Sequence, residues 1–225
     1  MKKFILFLLT LSIVPALTAQ LIVSLLGDSY STYEGWIPEG NEAWYGENIG
    51  NDVKNVADTW WHKLISDNAL ELELNNSWSG STICNTGYYG EDYTNRSFLT
   101  RSGNLGNNPD IIYIFGGTND SWAKSPIGEF DKEDMYTVRP ATKAMLKNVK
   151  SAYPNAICMV IINTELSADV VNSIIDACKY EDVPYIQLAD IDKQGGHPSV
   201  KGMQSIATQV WKATAPLLYA KLQKH

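Results

Sequence analysis

The sequence predicts an α/β protein, a three-layer α/β/α sandwich built on a five-stranded parallel sheet. Three observations carry that expectation. Five short apolar runs recur along the chain, several of them continuous and rich in Ile and Val, as strands buried on both faces must be. Between them lie amphipathic stretches long enough to be helices. Strand and helix alternate, and right-handed crossovers then place helices on both faces of a parallel sheet. The chain has 225 residues, 44% hydrophobic and 19% charged. That is globular composition, which excludes disorder, collagen and coiled coil and suits one domain.

Residues 1–19 stand outside the fold. Lys2 and Lys3 precede an apolar run over 4–14, followed by Pro15 and the small residues Ala16, Thr18 and Ala19. This is the layout of a secretory signal peptide, with a run shorter than the ~20 residues of a membrane span. Cleavage is expected after Ala19, although Leu17 fits the small-residue rule poorly. Residues 20–225 are then a single domain, exported to the periplasm or the cell exterior, with no stable membrane anchor.

The expected strands are 21–26, 70–74, 111–115, 156–162 and 184–188. The expected helices span about 58–68, 133–153, 167–180 and 199–222, with Asp58, Ser167 and Ser199 as N-caps. Two stretches break the rhythm. Residues 30–56 are long, Gly-rich and aromatic, and residues 84–108 are rich in Asn, Gly and Tyr. Both follow strand ends, where ligands of open α/β sheets bind, and long irregular segments often build such surfaces.

Charge and cysteine content narrow the partners. Against 18 basic residues stand 25 acidic ones, a formal charge of −7. No Lys/Arg run offers a phosphate-binding footprint, so nucleic acid is not an expected partner. Cys84, Cys158 and Cys178 are too few and too scattered for a disulfide framework, and Cys158 sits in an apolar run as a buried thiol would. The three His lie near no Cys pair, which leaves no zinc spacing. Neither a metal nor another cofactor is expected.

Four strand-end loops carry the chemistry. The first strand runs into Gly27-Asp28-Ser29, where a Ser is well placed as a nucleophile, although Gly-Asp-Ser also makes ordinary turns. The second leads to Trp78-Ser79-Gly80-Ser81, in which Gly80 offers an unobstructed backbone N–H. The third ends in Gly116-Gly117-Thr118-Asn119-Asp120, with an Asn amide able to donate to an oxyanion. After the fifth comes Gly195-Gly196-His197-Pro198. His62 lies within a helical run and His225 is the last residue, so His197 is the one placed to activate a Ser.

Gly27-Asp28-Ser29, Gly80, Gly117-Thr118-Asn119-Asp120 and His197-Pro198 resemble, in order and spacing, the four sequence blocks of the SGNH (GDSL-type) hydrolases. The resemblance spans nearly all of residues 20–225. It implies a flavodoxin-like sandwich and metal-free ester hydrolysis through an acyl-enzyme. It also implies Ser29 as nucleophile and His197 as base, with Gly80 N–H, the Asn119 side chain and Ser29 N–H as oxyanion hole. Asp28 would organise the turn. One position departs from the pattern: the family usually has Asp three residues before the His, where this chain has Gln194. Asp192, or less favourably Asp190, could orient His197 if 193–196 loops out. The Gln194 carbonyl or a backbone carbonyl is the alternative, leaving a Ser–His dyad. Activity is expected to fall as His197 protonates below about pH 6.5, unless a carboxylate raises that value.

Seven Trp and twelve Tyr are many for this length. Trp36, Trp44, Trp78 and Trp122 all fall near the proposed site in sequence and could form a sugar-stacking platform or simply pack the loops. Trp60 and Trp61 belong to the core. Export, acidity and aromatic loops point to a carbohydrate ester, and the resemblance, to a family with many exported deacetylases, implies removal of acetyl groups from it. The alternatives are a short-chain acyl esterase or lysophospholipase of the same mechanism, or a carbohydrate-binding module with impaired catalysis.

Overall fold

The computed structural model describes residues 20–223, and the expected signal peptide lies outside them. Strand β1 (Ile22–Gly27) is followed, after a long irregular segment, by α1 (Trp60–Asp67) and β2 (Glu71–Ser77). Then come the short α2 (Phe98–Arg101), β3 (Ile111–Gly116) and α3 (Thr118–Ala123). Helix α4 (Val138–Ala152), β4 (Ile157–Ile162), α5 (Ala168–Glu181) and β5 (Tyr185–Gln187) complete the main sheet. A small pair, β6 (Lys193–Gln194) and β7 (His197–Pro198), precedes α6 (Val200–Leu222). The sheet order is β2-β1-β3-β4-β5, with every pairing parallel. This is the predicted sandwich, in the flavodoxin-like strand order.

Why these runs are continuous rather than alternating follows from the layers. Leu25, Tyr113, Phe115, Met159 and Ile161 pack on one face against Trp60, Trp61, Met203 and Ile206 of α1 and α6. Their neighbours Leu26, Ile112, Ile114, Val160 and Ile162 pack on the other against Val138, Met145, Val170 and Ile174 of α4 and α5. With both faces covered, both sets of alternate positions are apolar in these strands, Ser24 of β1 excepted. Each such buried aliphatic side chain contributes about 1.5–3 kcal/mol of transfer free energy.

Helix starts follow capping chemistry. The Ser167 and Ser199 hydroxyls accept from the Val170 and Gly202 backbone N–H groups, as N-caps should. Asp58 is not a cap; it sits in a 3₁₀ turn, and Thr59 caps α1 by accepting from His62 N–H. Helix α4 starts at Val138 rather than near 133 because Asp134 forms its own turn, its carboxylate accepting from Tyr136 N–H and its carbonyl from Thr137 N–H. The three cysteines are all buried and free. Burial pushes the Cys158 thiol up to about 12, which leaves it inert at neutral pH.

The topology positions the site. Because β2, β1 and β3 are neighbours and parallel, the loops leaving their carboxyl ends at residues 28, 78 and 117 lie side by side. The β6–β7 hairpin then brings in the fourth loop.

Candidate active site

Gly27 ends β1 at a point where no side chain fits. A Cβ there would stand 2.4 Å from Ser77 Oγ and 2.6 Å from Ser31 Cβ. The chain turns at once into a 3₁₀ turn, Ser29–Ser31, capped by the Asp28 carboxylate, which accepts from Tyr30 N–H at 3.0 Å. Asp28 is fully buried, and burial raises its carboxyl to about 7 against the opposing effect of the Tyr30 N–H. It organises the turn, and Ser29 itself is buried, 3% exposed, beneath the imidazole of His197. His197 Nε2 lies 2.9 Å from Ser29 Oγ.

The other imidazole nitrogen, Nδ1, lies 3.2 Å from the Gly195 carbonyl oxygen. A carbonyl can only accept, so that contact requires the proton on Nδ1 and leaves Nε2 free to take the Ser29 hydroxyl hydrogen. Asp192, the expected carboxylate, does not reach the ring. Its Oδ2 accepts from the Ser199 hydroxyl and its carbonyl from Ser199 N–H, so it serves the start of α6 instead. The reason is the hairpin. Gly195 and Gly196, at φ +59° and +79°, make a two-residue turn that pairs Gln194 with His197, so the chain doubles back instead of looping out. Gln194 points away as well, its Nε2 donating to Asp52 Oδ2 at 3.0 Å. Asp190 is exposed, and His197 has no carboxylate partner among the described residues.

The loops that carry the expected oxyanion donors lie side by side at one edge of the sheet. Gly80 sits at φ +78°, a left-handed conformation that glycine adopts without strain. The N–H groups of Ser29 and Gly80 have no backbone acceptor among the described residues. Asn119, buried, donates from Nδ2 to Ser81 O at 3.0 Å and accepts at Oδ1 from the Tyr88 hydroxyl at 2.8 Å. An amide has two N–H groups, so one remains for a ligand. Asp120 ties the two loops together, its carboxylate accepting from Ile83 N–H at 2.8 Å and Cys84 N–H at 3.3 Å. From behind, Arg101 donates to the Asn76 and Gly27 carbonyls and to Ser81 Oγ.

Of the four tryptophans expected near the site, two meet the imidazole of His197. Trp44 stacks on His197, with ring centroids 3.6 Å apart and planes 6° from parallel. Trp122 meets the imidazole edge-on at 5.8 Å and is 45% exposed. Trp36 packs instead on Trp61 and His62, away from the imidazole. Trp78 donates its backbone N–H to Gly27 O at 3.0 Å, and its buried indole N–H has no partner among the described residues.

Sequence reasoning missed the braces of the His197 hairpin. Tyr30 donates its hydroxyl to Gly196 O at 2.5 Å, and Tyr45 donates to Pro198 O at 2.8 Å. Asn51 Nδ2 donates to Pro198 O at 2.9 Å, and Asp52 Oδ1 accepts from Val200 N–H at 3.0 Å. The segment after Ser29 thus spends much of its chemistry on holding His197. No spacing rule links residues so far apart in sequence. The one available signal was Gly195-Gly196 between short runs, which reads as a hairpin turn.

Burial without a carboxylate neighbour pushes His197 down to about 4; the Gly195 carbonyl opposes this and the Lys193 ammonium adds to it. The ring is therefore neutral, the form a base needs, well below the expected pH 6.5. Because protonation inactivates the base and its value is depressed, kcat/KM should hold as pH falls through 6.5 and drop only as it approaches 4. A pH profile of ester hydrolysis, on protein checked for folding at each pH, tests this; an acid limb at or above 6.5 would contradict it.

The family model of GDSL-like lipases and acylhydrolases matches residues 21–214. A solved structure from Bacteroides uniformis, assigned as a GDSL-like lipase, is 50% identical, with a TM-score of 0.84 over 88% of this chain and 96% of that one. Its counterpart from Bacteroides ovatus is 44% identical, with a TM-score of 0.85 over 88% of this chain and 100% of that one. A family two carbohydrate esterase from Clostridium thermocellum shares the fold at 16% identity, with a TM-score of 0.60 over 88% of this chain and 64% of that one. No curated protein matches the chain.

Proposed function

This chain belongs to the GDSL-like lipase/acylhydrolase family, and we propose that it is an exported serine esterase that removes acetyl groups from a carbohydrate. The observation that carries the esterase reading is the 2.9 Å contact between Ser29 Oγ and His197 Nε2. Ser29 Oγ attacks the acyl carbon while its proton passes to Nε2. The charge that develops on the carbonyl oxygen meets Ser29 N–H, Gly80 N–H and the free Asn119 N–H. As the tetrahedral intermediate collapses, Nε2 returns the proton to the departing sugar oxygen, leaving Ser29 acetylated. Water, activated by the same nitrogen, then releases acetate and restores the Ser29 hydroxyl.

The carbohydrate part rests on an aromatic side chain and on the fold. Trp122 is the half-exposed aromatic beside His197, placed to lie under a sugar ring. The fold is also one that solved carbohydrate esterases use, among them an acetyl xylan esterase from Butyrivibrio proteoclasticus. Export is read from residues 1–19 alone.

Hydrolysis of p-nitrophenyl acetate against a longer-chain ester, followed by acetate release from acetylated xylan, tests both parts. Acetate-selective turnover on both substrates is the expected result. Preference for long acyl chains would move the reading to a lysophospholipase. Binding of the polysaccharide with no turnover of any ester would mean a binding module.

A further inference from the structure

The face of the His197 imidazole is covered by the indole of Trp44, with centroids 3.6 Å apart and planes 6° from parallel. That placement is built rather than incidental. The Trp44 backbone N–H donates to Thr32 Oγ1 at 2.9 Å, three residues after Ser29, and the next residue, Tyr45, is anchored on Pro198 O. At the edge of the same imidazole, only the Gly195 carbonyl receives Nδ1 among the described residues.

The acid of a Ser–His–acid arrangement has two tasks: it fixes the tautomer and orientation of the ring, and it stabilises the imidazolium. The Gly195 carbonyl performs the first. It carries only a partial charge, so most of the second is left undone. An aromatic face attracts a cation within about 6 Å of its centroid, and Trp does so best. We propose that Trp44 is a positioning residue that takes over the absent acid's second task, stabilising the imidazolium through its π face, while its stacking adds to the Gly195 carbonyl's hold on the ring plane. The catalytic consequence rests on the esterase reading; the effect on the imidazole does not.

In the reaction, the proton that leaves Ser29 Oγ as the acyl bond forms resides on Nε2 until the leaving oxygen takes it. The ring is cationic in that interval and again in deacylation, between taking the proton of water and returning it to Ser29 Oγ. An indole that binds the cation better than the neutral ring favours the transition state over the ground state, and so raises kcat. The other charged or titratable groups around the ring make their hydrogen bonds and ion pairs elsewhere, and among them the Lys193 ammonium disfavours the imidazolium. The Tyr30 and Tyr45 hydroxyls donate to the Gly196 and Pro198 carbonyls, and Lys193 pairs with Glu165 at 2.8 Å. Asp28 is held by Tyr30 N–H, Asp52 by Gln194 and Val200, and Asp192 by Ser199.

The test is an NMR titration of His197 in the wild type, Trp44→Phe and Trp44→Leu. A parallel series carries fluorinated tryptophans at position 44 alone, which keep the indole shape while draining its π face. The His197 pKa should fall with each added fluorine and lie lower in Trp44→Leu than in Trp44→Phe, by about half to one unit. In turnover, kcat should drop by about 10–30-fold in Trp44→Leu, with Trp44→Phe recovering most of it. A purely steric role predicts no response to fluorine, and Phe and Leu behaving alike; either result overturns the proposal. If no variant, wild type included, hydrolyses an ester, the esterase reading fails while the titration series still decides the role of Trp44.

Discussion

Ser29→Ala is expected to lower kcat by about 10⁵–10⁶-fold, and His197→Ala by a similar factor, with the double variant hardly worse than either. The reason is that the two side chains act as one device across 2.9 Å. Without the Oγ no acyl bond forms. Without Nε2 the hydroxyl keeps its proton and stays a weak nucleophile. Removing the second member therefore costs almost nothing once the first is gone. Ser29→Ala deletes a single oxygen from a buried residue and should leave the melting temperature nearly unchanged, which separates lost chemistry from lost structure. The measurement is turnover of p-nitrophenyl acetate in the three variants, with mass spectrometry of the wild type during the burst to find the acetyl group on Ser29. Ser29→Ala with more than about a hundredth of wild-type activity would place the nucleophile elsewhere.

The fold is largely legible because its three central strands, β1, β3 and β4, are buried on both faces. A continuous apolar run such as 111–115 has few other ways to sit in a globular domain, and β3 is buried along all of Ile111–Gly116. What was misread lies where local hydrogen bonding competes with periodicity. Asp58 looked like a cap, yet Thr59 takes that place; the acidic start near 133 looked helical, yet Asp134 closes its own turn. Helix α3 was read as a glycine-rich loop, although its six residues begin directly after Gly117 at φ +95°.

The site divides along the same line. Ser29, Gly80, Asn119 and His197 stand at strand ends or loop tips, and sequence order alone delivers strand ends to one edge of a parallel sheet. Asp192 is the nearest carboxylate before His197 in sequence, and its reach to the ring requires 193–196 to loop out. The Gly195-Gly196 turn instead folds that segment into a hairpin, which offers Nδ1 a carbonyl and turns Asp192 toward Ser199. The aromatic residues show the limit most plainly. Trp36 and Trp44 are eight residues apart in one irregular segment, yet one packs on Trp61 and the other on the imidazole. Nothing in composition distinguishes them, because their places are set by contacts with residues 25–153 positions away.

Asn119→Ala should lower kcat by about 10²–10³-fold while changing KM little, the signature of a donor that matters only once charge has moved to the carbonyl oxygen. The size is that of one lost donor in a water-poor site, roughly 3–4 kcal/mol. A competing explanation must be separated from it. Asn119 also joins the Ser81 carbonyl to the Tyr88 hydroxyl, so its removal could disturb the Gly80 loop instead. Tyr88→Phe isolates that contribution. It deletes the bond that orients the amide, worth about 1 kcal/mol net, and leaves the donor in place. Donation to the oxyanion therefore predicts a loss in Tyr88→Phe of about fivefold, far short of that in Asn119→Ala. Equal losses in the two variants, or a rise in KM matching the fall in kcat/KM, would mean that Asn119 acts by holding the loop. Asn119 would then have no part in binding the oxyanion, and Gly80 and Ser29 would be left to bear that charge with their backbone N–H groups alone.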